Sequence, residues 1–317
     1  MVPYELGLHE IGDGVFAYLQ PDGSWGYSNS GLVAGDGASL LVDTLFDLRL
    51  TEAMLAAMAP VTSSRPISTV VNTHANGDHC HGNQLVPGAR FIASAATARE
   101  MADLPASSLH ALKQLDLGAD ANTFVAEAFG RFRFDDIDPA VPTETFSGRL
   151  EVDAGGRHFV LEEVGPAHTA GDVIVHVPDA GVVFAGDILF IGSTPIVWAG
   201  PFANWLAALQ RIRALEPAVV VPGHGPVVSV AEITQVEAYL NFVHAEAAQR
   251  ADSGMSVLEA AFDIDLGDYG TWSDSERIVA NVDAVYSEVR SGHSRMDFIT
   301  LFGEMGRYRA SGRPAGS

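Results

Sequence analysis

Val71-Asn72-Thr73-His74-Ala75-Asn76-Gly77-Asp78-His79 follows directly on the strand-like run Ile67-Ser68-Thr69-Val70-Val71 and sets two imidazoles and a carboxylate close together. Lone-pair donors converging at one strand end repel one another or stay unsatisfied. A divalent cation of the zinc type accepts imidazole nitrogen and carboxylate oxygen together, so the cluster points to a metal. Three further segments repeat the theme: Gly165-Pro166-Ala167-His168-Thr169-Ala170-Gly171-Asp172, Phe184-Ala185-Gly186-Asp187 and Val221-Pro222-Gly223-His224-Gly225. Each follows or ends an apolar run and offers a His or Asp beside glycine. The six other histidines away from these segments, at 9, 110, 158, 176, 244 and 293, are read as ordinary structural or surface residues.

Four segments in this order and with these gaps resemble the metallo-β-lactamase superfamily over nearly the whole chain. In that family the first segment reads His-x-His-x-Asp-His, and a later His, Asp and His complete two adjacent metal sites. The resemblance implies zinc, one ion or two. It makes His74 and His168 ligands of a first site, Asp78, His79 and His224 ligands of a second, and Asp187 the carboxylate between them. Asn76 is the departure, standing where the family has a histidine. A neutral amide oxygen is a poor zinc ligand, so Asn76 is expected to be a weak ligand or an outer hydrogen-bonding group, and the first site the weaker one. His81 is expected to pack structurally or line the pocket, and Cys80 to be a small buried hydrophobe.

The chain has 317 residues, 47% of them hydrophobic and 18% charged, which fits a well-buried globular domain. The hydrophobic pattern suggests an αββα sandwich: strand runs at 14–19, 30–34 and 38–44, a helix at 48–58, then the strand leading to His74. Strands return from 149 to 184, followed by helices at 204–215 and 229–250 and a strand at 218–221. Residues 1–309 are expected to form one domain. Within it, about 95–145 is read as an insertion or lid over the metal, about 229–309 as a helical C-terminal part, and 310–317 as a disordered tail.

Forty acidic against 18 basic residues give a formal charge of −22, a field that repels polyanions and argues against nucleic acid as a partner. No apolar run reaches a membrane-spanning length, and the first residues lack the basic and apolar regions of a secretory signal. A single cysteine fits a reducing compartment, so a cytoplasmic location is expected, with a small molecule as substrate and a homo-oligomer left open.

The residues after Asp187, including Phe190 and Trp198, are apolar, and Trp25 and Tyr27 lie near the opening hairpin; all four are candidates for a pocket that takes an apolar or aromatic group. The segments at 25–31, 83–84 and 192–195 resemble the polyketide cyclase and thioesterase-like branch of the superfamily. The preferred activity is hydrolysis of an ester, thioester or lactone, with Asp78 and His168 as candidate catalytic groups. A cyclase or dehydratase using the metal as Lewis acid is the first alternative, and a metal-binding protein without turnover the second.

Overall fold

The computed structural model describes residues 2–138 and 140–312. The chain opens with four antiparallel strands, β1 (Gly7–Gly12), β2 (Val15–Leu19), β3 (Ser30–Ala34) and β4 (Ser39–Val42). Helix α1 (Leu48–Thr62) then crosses over to β5 (Ile67–Val71), and β6 (Arg90–Ser94) and β7 (Glu144–Phe146) extend the sheet in parallel, giving seven strands in sequence order. The short helix α2 (Gly77–Cys80) lies between β5 and β6, and α3 (Ala95–Asp103), α4 (Ala106–Leu112) and α5 (Ala119–Phe129) between β6 and β7. A second sheet holds β8 (Arg149–Ala154), β9 (Arg157–Glu163), β10 (Val173–Val177) and β11 (Val182–Phe190); after α6 (Phe202–Ala214), β12 (Val219–His224) joins beside β11 in parallel. Helices α7 (Ile233–Asp252), α8 (Val257–Asp263), α9 (Ile278–Val289) and α10 (Phe298–Ala310) complete the chain.

Period-two alternation explains the layering. In β2, Val15, Ala17 and Leu19 face the second sheet while Tyr18 faces α1; in β4, Leu40 and Val42 face inward and Leu41 outward. In the second sheet Val173, Val175, Val182 and Phe184 meet the first sheet, whereas Ile174, Val183 and Ala185 face the outer helices, where Trp205, Leu209 and Val236 cover them. With α1 covering the opposite face through Met54 and Met58, the result is the expected αββα sandwich. Helix α1 starts where the Asp47 carboxylate accepts from the Leu50 amide at 2.8 Å, a side-chain cap for an otherwise orphaned donor.

The fold departs from the sequence expectations in several places. Strand β1 carries no sequence signal, because Gly7-Leu8-His9-Glu10-Ile11-Gly12 is half-buried on both faces and shows no alternation. The stretch between 95 and 145, read as an insertion or lid, contains three helices, whose apolar residues pack on distant elements; Phe124 of α5 meets Phe302 of α10 at 5.2 Å between ring centroids. Ala310, placed in the expected tail, closes α10; residues 313–317 of that tail lie outside the described ones. Among the described residues no helix is long and apolar enough to cross a membrane.

Candidate metal centre

The motif segments come together at one edge of both sheets. His74 follows β5, Asp78 and His79 sit on α2, His168 lies in the loop before β10, Asp187 is carried by β11 and His224 ends β12. Backbone bonds tie the two sheets together here, the Val173 amide donating to the Thr73 carbonyl and the Asn29 amide to that of Gly223. His74, His168 and Asp187 form one group, and Asp78, His79 and His224 another, each with its ligand atoms within 4.8 Å of one another. Asp187 lies between them: its carboxylate oxygens approach Nε2 of His79 at 3.0 Å, His168 at 3.3 Å, His224 at 3.5 Å and His74 at 3.7 Å.

Every one of the four imidazoles has its Nδ1 side engaged. His79 Nδ1 meets Asp43 Oδ2 at 2.9 Å, His168 Nδ1 the Ile196 carbonyl at 2.7 Å, His224 Nδ1 the Gly23 carbonyl at 3.0 Å and His74 Nδ1 the Thr73 hydroxyl at 3.0 Å. The Thr73 hydroxyl is itself aimed at Asp43 Oδ2 at 2.7 Å, so it is free to accept from His74. With the four Nδ1 atoms placed on acceptors, the four Nε2 atoms point inward, available as ligands once His79 and His224 give up their protons. Nε2 of His74 and of His79 and Oδ1 of Asp187 are buried without a hydrogen-bond partner. Unpartnered buried acceptors of this kind are costly unless a cation takes them, so the residues fit a metal ion.

Asn76 also stands in the site, its Oδ1 2.9 Å from His168 Nε2. Two acceptors face each other there, an arrangement relieved by a cation or by turning the amide so that its NH2 donates. Asp43 and Thr73 carry no metal-ligand pattern, and nothing in the sequence singles them out. The only signal is an acid closing the apolar strand β4, and Asp43 takes a left-handed backbone (φ 61°) to reach both the Thr73 amide at 2.7 Å and His79. Asn83 supports the site from behind, since it bonds Asn72, whose amide holds the His79 carbonyl at 2.9 Å.

Burial alone lowers the pKa of His224, but the charge of Asp187 and hydrogen bonds to Asp187 and Asp78 outweigh it and push it up to about 9. Burial likewise opposes protonation of His79, yet Asp187, Asp43 and Asp78 raise it well above the ordinary value. His168 is lowered by burial to about 4. A ligand imidazole must be neutral, so uptake of an ion displaces a proton from His224 and one from His79 at neutral pH. Metal affinity is therefore expected to rise with pH through the neutral range, by about tenfold per unit for each of the two protons that His224 and His79 give up. Competition titrations with a chelator across this range check the slope; a flat profile contradicts it.

A cavity of about 330 Å³ opens onto Asp78, His168, Asp187 and His224. Trp25, Phe46, Phe129, Phe190, Trp198 and Phe302 form much of its wall, with Leu104, Leu109 and Leu112 from the α3–α4 region. The helices expected to overhang the metal thus contribute to the cavity wall. His81 lines it too, stacked on Phe46 at 5.6 Å and lowered to about 4 by burial. Tyr27 does not: it turns away to pack edge-on against Phe132 at 5.3 Å, under the Arg131 guanidinium. Cys80 points its thiol at the Ala75 carbonyl, and burial raises its pKa, leaving it unreactive.

An αββα sandwich with imidazoles and carboxylates gathered at the sheet edge defines a metallohydrolase-type architecture. The family model of the metallo-beta-lactamase superfamily matches residues 23–224, and the chain belongs to that superfamily. Its sequence is 28% identical over 217 residues to the 2,4-dinitroanisole O-demethylase subunit alpha of Nocardioides sp. (strain JS1661), covering 68% of this chain and 54% of that protein. In structure it is similar to a stereoselective inverting sec-alkylsulfatase from Pseudomonas sp. (TM-score 0.66, 16% identity), covering 90% of this chain and 50% of the other. It is also similar to the metallo-beta-lactamase FIM-1 from Pseudomonas aeruginosa in its mono-zinc form (TM-score 0.53, 21% identity, 75% and 97% covered). The chain thus spans about half the length of the demethylase subunit and of the sulfatase.

Proposed function

We propose that this protein is a zinc-dependent hydrolase of a small ester, thioester or lactone with an apolar or aromatic acyl part. The observation that carries the reading is the aromatic cavity that opens onto Asp78, His168, Asp187 and His224 of the two candidate ligand groups. The cavity size suits a small organic molecule. His74, His168 and Asp187, and Asp78, His79 and His224, would hold the metal, which when bound supplies Lewis acidity toward a carbonyl and acidifies water.

The chain's own residues do the rest. Trp25, Trp198 and Phe190 bind the apolar part of the substrate and exclude bulk water. Burial raises the Asp78 pKa, but His79 and His224 outweigh it and hold the carboxylate well below the usual range. Asp78 is therefore ionised at neutral pH and serves as the acceptor that orients the attacking water. His168, neutral and fixed through Nδ1, belongs to the metal-holding group in this reading.

Asn76 makes the cluster of His74, His168 and Asp187 the weaker one. Asn76→His is expected to raise zinc content from one ion per chain towards two, read by elemental analysis; unchanged stoichiometry removes this account of Asn76.

The aromatic wall favours a second reading. The demethylase relative is named for 2,4-dinitroanisole, an activated aryl methyl ether, and a flat activated aryl ether suits the same cavity. The test is a panel of aryl esters, thioesters, lactones and 2,4-dinitroanisole offered to zinc-loaded protein, with products weighed by mass spectrometry. Products that together gain one water are expected. A product of unchanged mass or lacking one water would favour the cyclase or dehydratase alternative, and zinc-loaded protein turning over nothing would favour a non-catalytic metal-binding role.

A further inference from the structure

The loop after β11 is held in an unusual way. Apart from a single bridge at Ser193, residues 193–199 belong to no strand, yet their backbone groups are bound one after another by side chains. Arg277 Nη1 donates to the Thr194 carbonyl at 2.9 Å, Asn281 Nδ2 to Pro195 at 2.8 Å, His168 Nδ1 to Ile196 at 2.7 Å and Arg295 Nη2 to Val197 at 2.9 Å. Asn281 Oδ1 in turn accepts from the Val197 amide at 2.9 Å. The Asn281 amide therefore grips both residues that flank Ile196, and the carbonyl between them is the one that receives His168. Asn281 is fully buried in the middle of α9, with Tyr239 Oη at 2.9 Å as its remaining partner.

Arg277, Asn281 and Arg295 all lie beyond residue 224, where the match to the superfamily ends. The grip on the loop is thus a contribution of the C-terminal region, from α9 and the segments that flank it. Arg295 is itself fixed by the fully buried Asp283 at 2.7 Å, so the far end of the loop is anchored through α9 as well.

We propose that Asn281 is a positioning residue for His168. By fixing the Ile196 carbonyl from both sides, it sets the direction in which that carbonyl receives Nδ1–H, and with it the tautomer and ring orientation that aim Nε2 at Asp187. Partners of this kind behind a ligand histidine govern metal affinity. The consequence for metal binding rests on the proposed reading of the site; the effect on the His168 ring does not.

The test reads the His168 imidazole in wild-type protein as purified with zinc, by long-range 1H–15N NMR with His168→Gln as the assignment control. Wild type is expected to show a single Nδ1–H tautomer. In Asn281→Ala that signature is expected to shift or broaden, and the dissociation constant of the most weakly held Co2+ in a spectroscopic titration to rise about tenfold. Should Asn281→Ala not fold, Arg295→Met loosens the same loop from its other end and is expected to move both readouts in the same direction. Tyr239→Phe removes a partner of Asn281 without touching the loop; it is expected to lower the thermal midpoint while leaving the His168 signature as in wild type. A His168 pattern unchanged in Asn281→Ala and Arg295→Met overturns the proposal, as does Tyr239→Phe altering it equally. If wild type takes up no metal, the reading of the site falls, while the His168 signature still decides the role of Asn281.

Discussion

Asp187→Asn is expected to strip the protein of tightly bound metal and to lower kcat/KM on any turned-over ester by at least about 100-fold. The substitution conserves volume, and the flanking residues of β11 are apolar and buried, so the sheet has no reason to rearrange. What changes is charge. The Asp187 carboxylate reaches Nε2 of all four candidate ligand histidines within 3.7 Å, and burial, which opposes its ionisation, is outweighed by those histidines, His224 foremost. An amide offers one weak acceptor where both clusters shared an anion, and its NH2 caps a lone pair that an ion needs. Metal content by elemental analysis and kinetics on the same preparation check the result. Retention of a full complement of zinc with normal turnover would show that Asp187 is not the shared ligand.

Gly223→Ala is expected to be nearly as damaging without altering a single ligand. A Cβ at Gly223 would stand 1.9 Å from Asp187 Oδ1 and within 2.9 Å of the Gly186 carbonyl carbon and the Asp187 amide nitrogen. Two of those three atoms are backbone in the middle of the fully buried strand β11, where Gly186 is paired to Pro222 of β12, so they have little room to retreat. The methyl must therefore displace the carboxylate or prise β12 from β11, at about 1–3 kcal/mol of stability and with loss of metal. Gly303→Ala is the contrast: on α10 its Cβ meets only Ala121 Cβ at 3.9 Å, so it is expected to be neutral or to stabilise the helix by about 0.5–1 kcal/mol. Urea unfolding of both variants, with metal content alongside, separates the two cases.

The ligand segments were legible in the sequence because each joins a His or Asp to glycine at the end of an apolar run, a local pattern that needs no knowledge of what packs against it. Strands β2, β4 and β10 were legible as short apolar runs, because both of their faces are almost wholly buried. The missed parts depend on long-range partners. Asp43 looks like any acid after a strand until β5 places Thr73 and His79 against it. Asn281 lies on α9, whose residues 278–286 are all buried, and its amide finds its use only when the loop at 193–199 arrives. Tyr27 and Trp25 are two residues apart, yet Trp25 Nε1 is pinned by Glu276 at 2.7 Å and faces the cavity, while Tyr27 goes to Phe132. Strand β1 is an edge element with no buried face strong enough to betray it.

The proposed function requires that His74, His79, His168 and His224, anchored through Nδ1, hold a divalent ion together with Asp78 and Asp187. Anomalous scattering collected at the zinc edge from crystals of protein purified without added chelator tests it most directly. A peak among Nε2 of His74, His79, His168 and His224, in contact with Asp187, is the predicted result. Crystals with full-strength diffraction and no peak at that position, or a peak elsewhere on the chain, would contradict it.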